Sequence, residues 1–71
     1  MFMITRKNKV KTRRLSVDQR KEIFHELVLT QDSGVSVPES RLRVAENHEI
    51  TTRQLVGIED EGMENEWPPL N

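Results

Sequence analysis

The sequence has 71 residues, of which 34% are hydrophobic and 32% charged, and it contains no cysteine. A chain of this length folds as one small domain, because its core hides only about 60% of the surface that the unfolded chain exposes. The lack of cysteine excludes a disulfide framework and a thiolate zinc site, and no apolar run approaches the ~20 residues that span a bilayer. We therefore expect a cytoplasmic protein that does not bind membranes.

Charged residues are distributed unevenly, although the formal net charge is only -1. Residues 1–14 contain six lysines and arginines and no acid, whereas residues 57–71 contain five acids and no base. The basic segment has no regular apolar stripe, so it cannot bury enough surface to offset the entropy lost on ordering. The prediction is a flexible basic arm at residues 1–14 and a trihelical domain at residues 15–71; the alternative for the arm is a short strand from Phe2 to Thr5 that pairs with a partner.

The first predicted helix lies in "LSVDQRKEIFHELVLTQDSG" and runs from about residue 17 to 31. Ser16 is placed to cap its start, and Gln19, three residues later, is placed to return the hydrogen bond. Gly34 can take a left-handed backbone beyond its end. Within the helix, four apolar residues recur at helical spacing and predict one buried stripe: Ile23, Phe24, Leu27 and Val28.

The second predicted helix, within "SVPESRLRVAENHE", runs from about residue 37 to 48. Ser36 caps it, Glu39 is the reciprocal partner three residues on, and Pro38 stands in the first turn, where its missing N–H costs nothing. The expected buried face consists of Leu42 and Ala45, flanked by Val44.

The third predicted helix spans about residues 52–61 of "ITTRQLVGIEDEGM", with Thr51 as cap and Gln54 as its partner. Leu55 and Ile58 fall on one face. Gly62 is expected just past the last turn, in a Schellman-type ending that brings Ile58 against Met63.

The tail "MENEWPPLN" cannot continue as a helix past Pro68 and Pro69. Trp67 and Leu70 are expected to fold back onto the bundle, since tryptophan offers the largest apolar area; the alternative is a frayed end. The predicted fold class is all-α, a small three-helix bundle with a non-helical, proline-rich C-terminal tail.

Four apolar residues in the second half of the chain have a distinctive spacing: Ala45, Ile50, Leu55 and Ile58. A small residue is needed at Ala45 because the next helix crosses above it, Ile50 plugs the turn, and the last two face inward. This spacing resembles that of the helix-turn-helix superfamily of DNA-binding proteins. Glu49 occupies the turn position where such proteins often have glycine, which requires either a strained backbone or a different turn.

Within that superfamily, "ITTRQLVGIEDEGM" looks most like MerR-type regulators and region four of sigma factors. In those families a threonine- or serine-capped helix carries an arginine and ends near Ile-Glu-x-x-Gly. The resemblance covers about residues 41–63 and, more loosely, the first helix. No wing hairpin follows, because the chain continues into prolines, so the resemblance does not extend to a full MerR-type architecture.

The resemblance implies that the third helix enters the major groove of duplex DNA. Arg53 would then contact guanine, Thr51 or Thr52 a phosphate or a base edge, and Val56 and Gly57 would allow close approach. The basic arm, through Lys11, Arg13 and Arg14, would reach the backbone or the minor groove; the alternative is a solubilising tail. A single recognition helix rarely suffices, so a homodimeric transcriptional regulator associated with the nucleoid is implied.

The acidic end of the third helix argues against DNA binding. Asp60 is expected in the middle of the outward face, with Glu59 and Glu61 beside it, and carboxylates near a polyanion lower affinity. The alternative function is therefore a protein-interaction adaptor that docks this acidic C-terminal surface on a basic partner.

No set of residues predicts catalysis. His25 and His48 have no neighbouring serine or paired carboxylate in sequence, and two histidines without cysteine make a poor metal site. Glycine-rich phosphate loops and HExxH are absent. We therefore expect no enzyme activity, no metal and no cofactor.

Overall fold

The fold is all-α and consists of three helices in the part of the chain that the structure describes. The structure is a computed structural model that describes residues 14–70. It contains α1 (Val17–Asp32), α2 (Val37–Asn47) and α3 (Thr52–Glu64), and no strand within residues 14–70. Each helix contacts the other two. The predicted arm, except Arg14, lies outside the described residues.

The helices α1 and α3 begin with capping boxes, as predicted. The hydroxyl of Ser16 accepts from the Gln19 N–H at 3.1 Å, and the Gln19 side chain accepts from the Ser16 N–H at 2.9 Å. The same reciprocal pair joins Thr51 and Gln54 at 3.0 and 3.5 Å. Each box satisfies two N–H groups that the first helical turn leaves without partners.

The start of α2 differs in one detail from the prediction. The Ser36 hydroxyl accepts from the Glu39 N–H at 3.3 Å, so Ser36 is the cap. The Glu39 carboxylate, however, accepts from Arg43 Nε at 3.2 Å instead of closing the box. An ion pair one turn along the helix has replaced the predicted bond to the cap.

The core contains residues from all three helices, from the turn between α2 and α3, and from the tail. Leu27 and Leu55 are completely buried, which stabilises the fold by about 1.5–3 kcal/mol for each side chain. The other members are Ile23, Phe24, Val44, Ala45, Ile50, Ile58 and Trp67, with Leu15 and Val28 partly buried against them.

The predicted burial of Leu42 is wrong, because 53% of this residue is exposed. Ser40, which is fully buried, takes the place of Leu42 on the buried face of α2, beside Val44 and the predicted Ala45. The Ser40 hydroxyl donates to the Val37 carbonyl at 2.8 Å, so a polar side chain can occupy the inward position without an unsatisfied group. Leu42 consequently faces outward.

The predicted end of α3 at Gly62 is also wrong. Gly62 is buried within the helix, which continues to Glu64, and Met63 is 58% exposed. The Schellman motif occurs four residues later, where Trp67 N–H donates to the Gly62 carbonyl at 3.0 Å and Glu66 has a positive φ of 52°. The glycine is thus an interior helical residue in contact with α1.

The two apolar side chains of the tail behave differently. Trp67 is buried against Phe24 in an edge-to-face arrangement with ring centroids 6.1 Å apart. Lys21 Nζ lies 5.9 Å from the centroid of the Trp67 ring. The expectation that Leu70 also folds back is wrong: a turn closed by the Leu70 N–H and the Trp67 carbonyl leaves Leu70 49% exposed.

Candidate nucleic-acid interface

A tight turn at residues 48–51 joins α2 to α3. The Ile50 N–H donates to the Ala45 carbonyl at 3.0 Å, and the Glu49 N–H donates to the Glu46 carbonyl at 3.2 Å. Glu49 has a positive φ of 55°, so these bonds form a Schellman motif with glutamate where glycine is usual. Of the two possibilities that the sequence left open at this position, the strained backbone is the one observed.

The turn directs Ile50 into the core, where only 4% of it is exposed. Ala45, Leu55 and Ile58 lie in the same buried cluster, as their spacing predicts. This cluster fixes the rotation of α3 about its axis, because Leu55 and Ile58 cannot leave the core without exposing apolar surface.

The outward face of α3 is the one that the sequence predicts. Thr52, Arg53, Gly57 and Asp60 are exposed, and Val56 is half-buried at the edge of this face. Thr51 is half-buried, with its hydroxyl accepting the capping bond. Arg53 makes no ion pair with any residue between 14 and 70, so the structure leaves its guanidinium available.

The acidic end of α3 is arranged differently from the expectation. Glu59 and Glu61 lie on opposite flanks of Asp60, about 100° of helical rotation to either side. Glu59, whose side chain is 13% exposed, accepts from Arg41 of α2 at 2.9 and 3.0 Å. Glu61 accepts from Arg20 of α1 through both carboxylate oxygens, at 2.9 and 3.1 Å.

These ion pairs change the electrostatics of the helix. Two carboxylates that were expected to repel a polyanion are neutralised by arginines of neighbouring helices, and both point along the flanks. Asp60 and, one turn later, Glu64 are the acids that remain on the outward side of α3. The first two turns of the helix contain no acid.

Arg20 has a further contact that fixes the segment ahead of α1. Its Nη1 donates to the Leu15 carbonyl at 2.8 Å while Nε and Nη2 hold Glu61. Arg14, adjacent to Leu15, is exposed and lines a groove of about 340 Å³ together with Gln54 and Gly57 of α3. Arg14 and Leu15 therefore lie beside α3. Lys11 and Arg13 lie outside the described residues.

A second polar cluster, which the sequence pattern did not predict, connects α1 to the end of α2. The Glu26 carboxylate accepts from Asn47 Nδ2 at 3.0 Å, and its other oxygen lies 2.8 Å from His48 Nε2. Partial burial raises the pKa of Glu26, but the hydrogen bonds from Asn47 and His48 outweigh it and lower the pKa below its ordinary value. His25 is exposed on α1.

Metal-ligand clusters and membrane-spanning helices are both absent between residues 14 and 70. No three His, Asp or Glu side chains in that range converge as metal ligands would, and none of its helices is both long and apolar enough to cross a membrane. Comparisons of the sequence with models of known families, with curated proteins and with solved structures found no match.

Proposed function

We propose that the chain is a sequence-specific DNA-binding protein of the helix-turn-helix type, acting as a small transcriptional regulator. The amino-terminal half of α3 lies in the major groove, and the basic segment at residues 1–14 contacts the adjacent backbone or minor groove. The observation that supports this most is the exposed Arg53, which makes no ion pair within residues 14–70, on a helix whose rotation is fixed by the buried cluster beneath it.

The exposed residues of α3 match what base reading requires. The planar fork of Arg53 can donate two hydrogen bonds to O6 and N7 of one guanine. Val56 is placed one turn later to contact a thymine methyl, and Thr52 to contact a phosphate. The seven residues from Arg53 to Glu59 extend about 10 Å along the axis, enough to span roughly three base pairs.

The acids that remain on the outward side of α3, Asp60 and Glu64, are compatible with the proposal. Asp60 is two turns from Arg53, about 10 Å along the helix axis, so it leaves the groove when the amino-terminal half of α3 is inserted. With Glu59 and Glu61 paired to arginines, repulsion is confined to the carboxyl end of the helix.

A homodimer follows from the affinity that regulation requires. A single short helix contacts few bases, whereas two copies bound one helical turn apart, about 34 Å, read two half-sites. The duplex target is therefore expected to contain an inverted repeat with a guanine at equivalent positions in each half.

The test is a selection from random duplexes with the full chain at low salt, followed by titration of the selected sequence. Arg53→Ala should weaken binding about 5- to 150-fold, equivalent to about 1–3 kcal/mol, and relax the preference for guanine at one position. Arg43→Ala is the matched control, since Arg43 is an exposed arginine on α2 paired with Glu39; it should keep the base preference. Failure to enrich any duplex would refute the proposal.

One observation favours the second candidate function, a protein-interaction adaptor. Met63 is 58% exposed on α3, close in sequence to the exposed acids Asp60, Glu64 and Glu66. An exposed apolar side chain in an acidic stretch of sequence suits a basic, partly apolar protein surface. This function is supported if no duplex is bound and Met63→Ser or Glu64→Gln abolishes binding to one specific, basic partner protein.

A further inference from the structure

The groove beside α3 has features that the reading of bases by Arg53 does not require. It lies between α3 and the segment ahead of α1, with a volume of about 340 Å³. We infer that this groove holds the sugar-phosphate backbone of one DNA strand, next to the bases that Arg53 contacts. The inference rests on the proposed function and adds the place where the duplex backbone contacts the domain.

The groove provides room for a strand at Gly57. A Cβ placed on this residue would meet no heavy atom of residues 14–70 within 4 Å, so nothing in the packing of those residues requires glycine there. Glycine in a helix interior costs about 1 kcal/mol relative to alanine. A close approach from outside is a physical reason for a backbone without a side chain at this position.

The charge of the groove suits a phosphate. Arg14 is exposed at its edge, and Arg20 and Glu61 line its wall. Both oxygens of Glu61 accept from Arg20, so this carboxylate is neutralised. Two cations against one anion leave the groove net positive, which attracts a polyanion.

Arg20 also holds the backbone at the carboxyl end of the basic segment. Arg20 Nη1 donates to the Leu15 carbonyl, which holds the backbone directly after Arg14. Of the six cations in residues 1–14, Arg14 is the one that the structure describes, and it lies at the edge of the groove. A strand in the groove would lie between Arg14 and α3.

The position along α3 connects the groove to base reading. Gly57 follows Arg53 by four residues, one helical turn, so both lie along the same side of α3. A helix in the major groove has a phosphate strand on either side. The strand on the α1 side would pass over Gly57 while Arg53 contacts the bases.

The experiment measures binding of full-length variants to the selected duplex over a range of salt concentrations. Arg14→Ala should lower the slope of log affinity against log salt by about 0.9, the value for one phosphate, with the base preference unchanged. Gly57→Gln should weaken binding about tenfold, the loss of about one charge-assisted hydrogen bond, and Gly57→Ala should weaken it less, because its side chain is shorter.

The two glycine variants control for folding. Both replace glycine with a better helix former at an open position, so thermal unfolding should show each to be at least as stable as the unaltered chain. Wild-type affinity and salt slope in both Arg14→Ala and Gly57→Gln would overturn the inference. If Arg53→Ala still relaxed the base preference in that case, the proposed function would stand without it.

Discussion

Replacing each of the two glycines of α3 with alanine should change the free energy of unfolding in opposite directions. A Cβ on Gly62 would lie 2.5 Å from Cε1 and 2.6 Å from Cγ of Phe24, and closer still to Cδ1. Phe24 is only 1% exposed and packs edge-to-face on Trp67. The ring therefore cannot move aside without displacing the tryptophan.

The net effect follows from two opposed contributions. Overpacking of this kind costs about 1–3 kcal/mol, while alanine gains about 1 kcal/mol over glycine in a helix interior. We expect Gly62→Ala to lower the free energy of unfolding by about 1–2 kcal/mol. Each kcal/mol lowers Tm by about 4–8 °C in a domain of this size.

The assay is urea and thermal unfolding followed by the fluorescence of Trp67, the single tryptophan of the chain. Gly57→Ala is the matched control, because it makes the same substitution on the same helix in open space. It should raise stability by up to about 1 kcal/mol. If Gly62→Ala raised stability as much as Gly57→Ala, the packing of α3 against Phe24 described above would be refuted.

Three further predictions concern stability. Leu27→Ala should lower the free energy of unfolding by about 2–5 kcal/mol, whereas Leu42→Ala should change it by less than about 0.5 kcal/mol; equal losses in chemical denaturation would contradict the burial observed for these leucines. Glu66→Gly should raise Tm, because a residue other than glycine at φ 52° costs about 1 kcal/mol; an unchanged or lower Tm would show that no strain is stored there. The pKa of Glu26 is lower in the folded chain than its ordinary value of 4.5, so its contribution to stability is present above that value and is lost as pH falls through the folded pKa. Glu26→Gln should flatten this part of the stability-against-pH curve, and an unaltered acid limb would contradict the assignment.

Local signals in the sequence predicted the starts of the helices. The Ser16 and Thr51 capping boxes form between residues three apart, so their geometry does not depend on the rest of the fold. The burial of Ala45, Ile50, Leu55 and Ile58 was also predictable, because helical periodicity sets which residues share a face. These features identify the outward face of α3 and place Arg53 on it.

Features that depend on contacts between helices were not predictable. Leu42 looked like a core residue, but the rotation of α2 places Ser40 inside, and a serine gives no apolar signal. Gly62 looked like a helix end because glycine is common there. Its actual role, making room for Phe24, depends on a residue 38 positions earlier in the chain.

The ion pairs of the acids in α3 also depend on contacts between helices, so they were not predictable. The sequence places Glu59, Asp60 and Glu61 together, and their spacing alone does not reveal that two of them reach arginines on other helices. Those arginines lie 18 and 41 residues away. The pairing removes Glu59 and Glu61 from the sequence-based objection to DNA binding by α3, and Asp60 remains exposed.

The most direct test of the central claim is the ratio of affinities for the selected duplex and for a scrambled duplex of the same composition, measured with the unaltered chain and with Arg53→Ala. If α3 reads bases, the ratio should be large for the unaltered chain and should fall about 5- to 150-fold in the variant, while binding to the scrambled duplex changes little. Equal affinity of the unaltered chain for both duplexes, or a ratio that survives the loss of Arg53, would contradict the account.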